Sequence, residues 1–189
     1  SPTELEVELG DDRFPTLGEE LVLVARPNFP VDSVSWTDGT GQVLLASDGV
    51  GSIEAALNYT LLALENATVH LELFAADGCS VSDQLRIFVD RREQVFIPNV
   101  FSPNGDGEND FFTVFAGPSV LAVDRMLIFS RWGDVVYQGL GLSTNLASEG
   151  WNGTLAGEAL NDGVFIYQID LRLVNGETRR YTGDVLLMK

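Results

Sequence analysis

The chain has 189 residues, 45% of them hydrophobic, and a formal charge of −17 at neutral pH. That is apolar material for one large or two ordinary cores, two small domains being the better fit, and the acidity argues against nucleic acid and anionic membranes, which are bound through Lys and Arg. No apolar run approaches the roughly 18 to 20 residues that cross a bilayer, and the opening Ser1-Pro2-Thr3-Glu4 lacks the basic and apolar regions of a signal peptide, so the chain reads as a soluble piece of a longer precursor.

Apolar and polar residues alternate from the start. Leu5 to Leu9, Leu21 to Ala25, Val31 to Trp36 and Gln42 to Leu45 each repeat with a period of two, which predicts strands. Ala55 to Leu62, Thr68 to Ala75 and Gln84 to Asp90 continue the series, with Gly, Asp, Asn and Pro clusters between them. Seven short strands at this spacing predict an immunoglobulin-like sandwich. His70, the single histidine, falls in the alternation Val69-His70-Leu71-Glu72-Leu73 and is expected to face solvent. Cys79 is the sole cysteine, so no disulfide, zinc cluster or CxxC pair can form within the chain. With no cation near it in sequence, its thiol is expected to be unreactive, a small packed residue.

Residues 1 to 90 hold 16 acidic and 3 basic side chains (net −13), while residues 91 to 189 hold 12 and 8 (net −4), so the two halves read as different modules. The charged stretch Arg91-Arg92-Glu93 separates them, which predicts one domain over residues 1–92 and a second over 93–189. In the second, strands are expected at Gln94 to Phe101, Asp110 to Ala116, Asp124 to Ser130 and Asp134 to Gln138, with Arg131-Trp132-Gly133 turning between the last two. Phe165, Tyr167, Ile169, Leu171 and Leu173 then share one face of a strand. Asn175-Gly176 predicts a type I′ turn, and Thr178 to Met188 forms the return strand. No long capped amphipathic helix and no repeat of 20 to 50 residues interrupts this pattern. The fold class expected is all-β: two tandem antiparallel, immunoglobulin-like β-sandwiches.

The second half carries Ile97-Pro98-Asn99-Val100-Phe101-Ser102-Pro103-Asn104-Gly105-Asp106-Gly107-Glu108-Asn109-Asp110 and then Phe129-Ser130-Arg131-Trp132-Gly133-Asp134-Val135-Val136-Tyr137. Gly150-Trp151-Asn152-Gly153, Gly163-Val164-Phe165-Ile166-Tyr167 and Gly183-Asp184-Val185-Leu186-Leu187-Met188-Lys189 follow in order. Over about residues 95 to 189 these strings resemble the gliding-motility-associated C-terminal domain, the type B sorting domain of the type IX secretion system of Bacteroidetes. Several separated motifs in the right order are more specific than any one of them. Ser130 stands where that family usually has Asn, and Asn152 where it usually has Asp. In the first half, Ser35-Trp36-Thr37-Asp38-Gly39 and Asp77-Gly78-Cys79-Ser80-Val81-Ser82-Asp83 resemble polycystic-kidney-disease-type or related immunoglobulin-like repeats.

The resemblance implies a non-enzymatic address: a secretion and surface-attachment signal for upstream passenger domains, read by the type IX translocon or a dedicated outer-membrane partner, with the first domain as a spacer. The protein would then be secreted or held at the cell surface. Arg131, Trp132 and Gly133, together with Lys189, are the candidate contacts, since an exposed Trp beside an Arg is what interface anchors look like. The competing reading of that turn, favoured on conformational grounds, has its Trp closing the core with the Arg stacked on it. Lys189 is the only lysine, every other cation being arginine, a bias with no physical account.

Asn104, Asp106, Glu108 and Asp110 alternate through a glycine-rich loop and are candidate ligands for calcium, the only cofactor the sequence suggests. The same string is also ordinary turn chemistry, in which Asn and Asp bond local backbone. An alternative function is an adhesive or carbohydrate-binding module in which Trp36, Trp132 or Trp151 stacks on sugar rings. Catalysis finds little support, because any triad would have to be built on His70 alone and no pair of carboxylates stands out among 28 Asp and Glu.

Overall fold

The computed structural model describes residues 4–48 and 53–189. The chain divides into two compact units, Ser1–Arg91 and Arg92–Lys189. Both are built from strands, and the described helical residues amount to single turns at Ile53–Ala56 and Ala147–Glu149.

The first unit contains β1 (Val7–Glu8), β2 (Glu20–Val24), β3 (Arg26–Pro27), β4 (Ser33–Asp38), β5 (Val43–Ser47), β6 (Asn58–Leu62), β7 (Ala67–Phe74) and β8 (Ser80–Ile87). An antiparallel four-stranded sheet runs in the order β5-β4-β7-β8, while β2 pairs with β6 and β1 with β3. Period-two alternation sends Trp36, Leu71, Leu73, Leu85 and Ile87 to one face, where they join Leu23 of β2 in a single core. Trp36 is fully buried, stacks on Tyr59 of β6 at 5.6 Å and donates its indole N–H to the Ala56 carbonyl at 2.7 Å. That bond explains why Ala55 to Leu62 is not one strand. The chain makes a helical turn first, closed by Leu57 N–H to the Ile53 carbonyl at 2.9 Å, and so delivers the Ala56 carbonyl to the indole. β8 begins at Ser80, four positions ahead of the expected start, because Phe74 and Ser80 are already paired across the turn. Cys79 lies in that turn and is exposed, which corrects its expected packing.

The second unit contains β9 (Val95–Phe96), β10 (Val100–Phe101), β11 (Phe115–Ala116), β12 (Val120–Phe129), β13 (Val135–Leu142), β14 (Thr154–Leu155), β15 (Glu158–Ala159), β16 (Gly163–Leu173) and β17 (Thr178–Leu187). A five-stranded sheet runs β10-β17-β16-β12-β13, antiparallel except that β10 lies parallel to β17. Its inner face supplies Met126, Ile128, Ile169, Leu171, Val185 and Leu187, all buried. Against them pack Phe101, Phe112 and Trp151, with Trp151 edge-on to Phe165 at 5.0 Å and tilted against Phe101 at 5.2 Å.

Three expectations need correction here. The stretch Gln94 to Phe101 is not one strand. Pro98, lacking an N–H, interrupts the ladder, so β9 pairs with β11 and β10 joins the large sheet. Asp110 to Ala116 is strand only at Phe115–Ala116, and Phe112 instead forms an isolated bridge with Trp151. The β16–β17 turn is not type I′, since Gly176 (φ +86°) is left-handed but Asn175 is not. Gly176 N–H donates to the Leu173 carbonyl at 3.0 Å and Leu173 N–H to the Glu177 carbonyl at 2.8 Å, the pattern of a three-residue loop ending in a left-handed glycine.

Candidate functional site

Between β12 and β13 the chain reverses over Ser130 to Asp134. Ser130 N–H donates to the Asp134 carbonyl at 2.8 Å, and Gly133, at φ +90°, donates to the Ser130 carbonyl at 2.9 Å. The Ser130 hydroxyl oxygen accepts the Trp132 N–H at 3.2 Å, so serine serves the turn where the resemblance leads one to expect asparagine. Trp132 is 75% exposed, and the Arg131 guanidinium lies 4.3 Å from its ring centre. This overturns the reading in which Trp132 closes the core. The stack is present, but both groups stand outside. Beside them, a cleft of about 230 Å³ runs between the turn and residues 160–165, with Val136, Leu160 and Phe165 among its walls.

The loop at Asn104 to Asp110 spends its oxygens on itself. Asp110 accepts Gly105 N–H at 2.7 Å on one oxygen and Gly107 N–H at 2.9 Å on the other. Asp106 accepts Glu108 N–H at 2.8 Å and the Asn104 side-chain amide at 2.8 Å, while the Asn104 oxygen accepts Asp106 N–H at 2.9 Å. The bond from Glu108, followed by that from Asn104, holds the Asp106 carboxyl below the usual carboxylate range. Among the described residues no group of three or more His, Cys, Asp and Glu is arranged to hold a metal ion. As placed, Asn104, Asp106 and Asp110 direct their side-chain oxygens to groups of the loop itself. Lys189 lines a shallow depression with Gly105, Asp110 and Asn152, whereas Arg131 and Trp132 line a different one, which Gly133 does not reach.

Trp151 is fully buried and donates its indole N–H to the Thr154 carbonyl at 2.9 Å. Asn152 accepts the Thr154 hydroxyl at 2.8 Å, again a turn role that does not need a carboxylate. Because Trp36 and Trp151 are both enclosed, neither can stack on a sugar ring, which corrects the list of tryptophans proposed for such binding. His70 is half-buried on β7, opposite Thr37 of β4 and Gln84 of β8. A hydrogen bond with Asp77 and that residue's charge push the exposed Cys79 thiol up, away from a reactive thiolate.

One polar constellation escaped the sequence reading. Asp170 of β16, its side chain only 10% exposed, accepts Arg180 Nε at 2.6 Å and Arg125 Nη2 at 2.9 Å on the outward face of the sheet. Only the correct loop length would have revealed it: the three-residue loop at 174–176 places Asp170 across from Arg180, whereas a two-residue turn at Asn175-Gly176 would set it across from Tyr181. The Arg125 contact depends on the β12–β16 register and could not be read that way.

The family model of the CHU_C type IX secretion signal domain matches residues 95–187. No curated protein sequence matches the chain. Among solved structures it is similar to the fibronectin(III)-like modules of Clostridium thermocellum CbhA, at 10% identity over 98% of this chain and 93% of that one, with a TM-score of 0.36. It is also similar to the Bacteroides ovatus mixed-linkage glucan utilization locus protein SGBP-B, at 13% identity over 100% of this chain and 48% of that one, with a TM-score of 0.37. The insect immune protein hemolin aligns at 10% identity over 100% of this chain and 48% of its own, with a TM-score of 0.43. The chain thus spans about half the length of SGBP-B and of hemolin. No helix among the described residues is long and apolar enough to cross a membrane. Through residues 95–187, the motif-bearing second unit, the chain belongs to the CHU_C type IX secretion signal domain family.

Proposed function

We propose that the second unit is the address by which a larger protein is exported through the type IX system, and that the first unit is an immunoglobulin-like spacer between it and upstream passenger domains. The translocon, or an outer-membrane partner dedicated to this cargo, reads the folded surface of the second unit, with the turn at Arg131, Trp132 and Gly133 as the main contact and Lys189 as a separate one. The protein ends secreted or held at the cell surface and performs no reaction of its own. The observation that carries this reading is the family match over residues 95–187. The exposure of Trp132 supports the contact assignment, since a large aromatic left in water at a hydrogen-bonded turn is available to a partner.

The test is a fusion of the full chain to a reporter carrying a Sec signal, expressed in a gliding bacterium, beside the same fusion lacking Thr178–Lys189. The deletion removes β17, which lies between β10 and β16 and contributes the buried Val185 and Leu187, so the sheet cannot close. Surface display of the intact fusion and retention of the truncated one are expected. Equal display of both would contradict the address role.

A further inference from the structure

Among the arginines of the second unit, Arg125 and Arg180 share Asp170, Arg172 pairs with Asp124, and Arg179 pairs with Glu93 and Glu177. Arg92 has an interaction of its own. Arg131 alone makes no hydrogen bond or ion pair with its side chain among the described residues, although Asp162 lines the cleft beside it. It is nevertheless held in place by the Trp132 ring. A guanidinium fixed by a stack, with its charge and N–H donors unspent, is preorganised for an anion of planar, two-oxygen geometry. The acidity of the rest of the chain makes an unpaired cation here the more notable, for carboxylates to pair with it are abundant.

The neighbouring cleft adds a second requirement. Val136, Leu160 and Phe165 give it an apolar side beside the polar Ser130, Asn161 and Asp162, and that side takes an apolar group. At about 230 Å³ it falls below the roughly 300 to 1,000 Å³ of sites that enclose small-molecule ligands. That suits one side chain rather than a sugar chain. Resting on the address reading given above, we propose that the Arg131–Trp132 turn and this cleft bind a polypeptide segment of the export partner in which an apolar side chain stands next to a carboxylate. The apolar group enters between the turn and residues 160–165, and the carboxylate closes onto the Arg131 guanidinium.

The test uses the full 189-residue chain, labelled with nitrogen-15 and titrated with the blocked peptide acetyl-Gly-Phe-Asp-Gly-amide. Versions with Asn in place of Asp, and Ala in place of Phe, serve as controls. The Phe-Asp peptide should shift the Trp132 indole and Gly163 amide signals and bind about tenfold more tightly than either control. R131Q should lose about the same factor, and R131K should recover only part of it, since lysine lacks the bidentate fork. Equal binding of the three peptides, no binding of any, or full binding by R131Q would overturn the proposal. In cells, R131Q in the reporter fusion should reduce display while leaving the melting temperature unchanged. If the unaltered fusion is displayed and R131Q is displayed equally, this binding site is wrong and the address reading stands. If the unaltered fusion never reaches the surface, the address reading itself fails.

Discussion

Trp132 and Trp151 have opposite fates, and each follows from what its neighbours do. Trp151 sits among Phe101, Phe165 and Tyr137 with its indole N–H bonded, so W151A should cost about 3–5 kcal/mol in urea unfolding. Trp132 touches little beyond Arg131, and W132A should change stability by no more than about 1 kcal/mol. Comparable losses in the two variants would mean that Trp132 packs against the core. Asp170 gives a prediction in pH. Hydrogen bonds from Arg180, with those of Arg125 adding to them and burial opposing, hold its carboxyl below the usual carboxylate range. The folded carboxyl therefore ionises at lower pH than the unfolded one, whose value is about 3.9. Its contribution is complete above that pH and disappears as pH falls through the lower, folded value. D170N should lose about 1–3 kcal/mol at pH 7 and show a flatter loss of stability below about pH 4 than the parent chain. The motif strings were legible, but the exposure of Trp132 was not. Sequence spacing placed it at a turn without saying which side of the turn faced water.

At the scale of elements, legibility followed length. The β16–β17 hairpin was visible because ten or more residues of alternation fix which face of a strand is buried, although the register waited on the turn. The two-residue strands β9, β10 and β11 carry no such signal, and Pro98 divided what alternation had joined. The turn type at Asn175-Gly176 was misread because the dipeptide is compatible with more than one loop length, and pairing of Arg172 with Thr178 selects the longer. The loop at 104–110 tests the same kind of ambiguity. Its residues suit either a cation or a turn, and five hydrogen bonds within the loop favour the turn. Its melting temperature contribution should therefore be the same in chelator and in millimolar calcium, whereas D110A, which frees the amides of Gly105 and Gly107, should cost about 1 kcal/mol. A calcium-dependent rise in melting temperature would show that the carboxylates turn outward to a cation.

At the scale of the molecule, the two cores share no residue: one is built around Trp36, Leu71 and Leu85, the other around Trp151, Met126 and Ile169. Each core is closed by strands of its own unit, and the charge contrast that first divided the chain reflects two surfaces, not one uneven one. The spacer-and-address organisation proposed above requires only this, because an address must keep its shape whatever cargo it is joined to. Calorimetry of the full chain should accordingly resolve two transitions. L71A and I169A each remove a fully buried aliphatic side chain, at about 2–5 kcal/mol. With about 4–8 °C lost per kcal/mol in domains of this size, each should lower its own transition by on the order of ten degrees or more. L71A should leave the second unit's transition in place, and I169A the first unit's. A single transition that moves with both substitutions would mean the units stabilise each other, and the second unit would then depend on the first to fold.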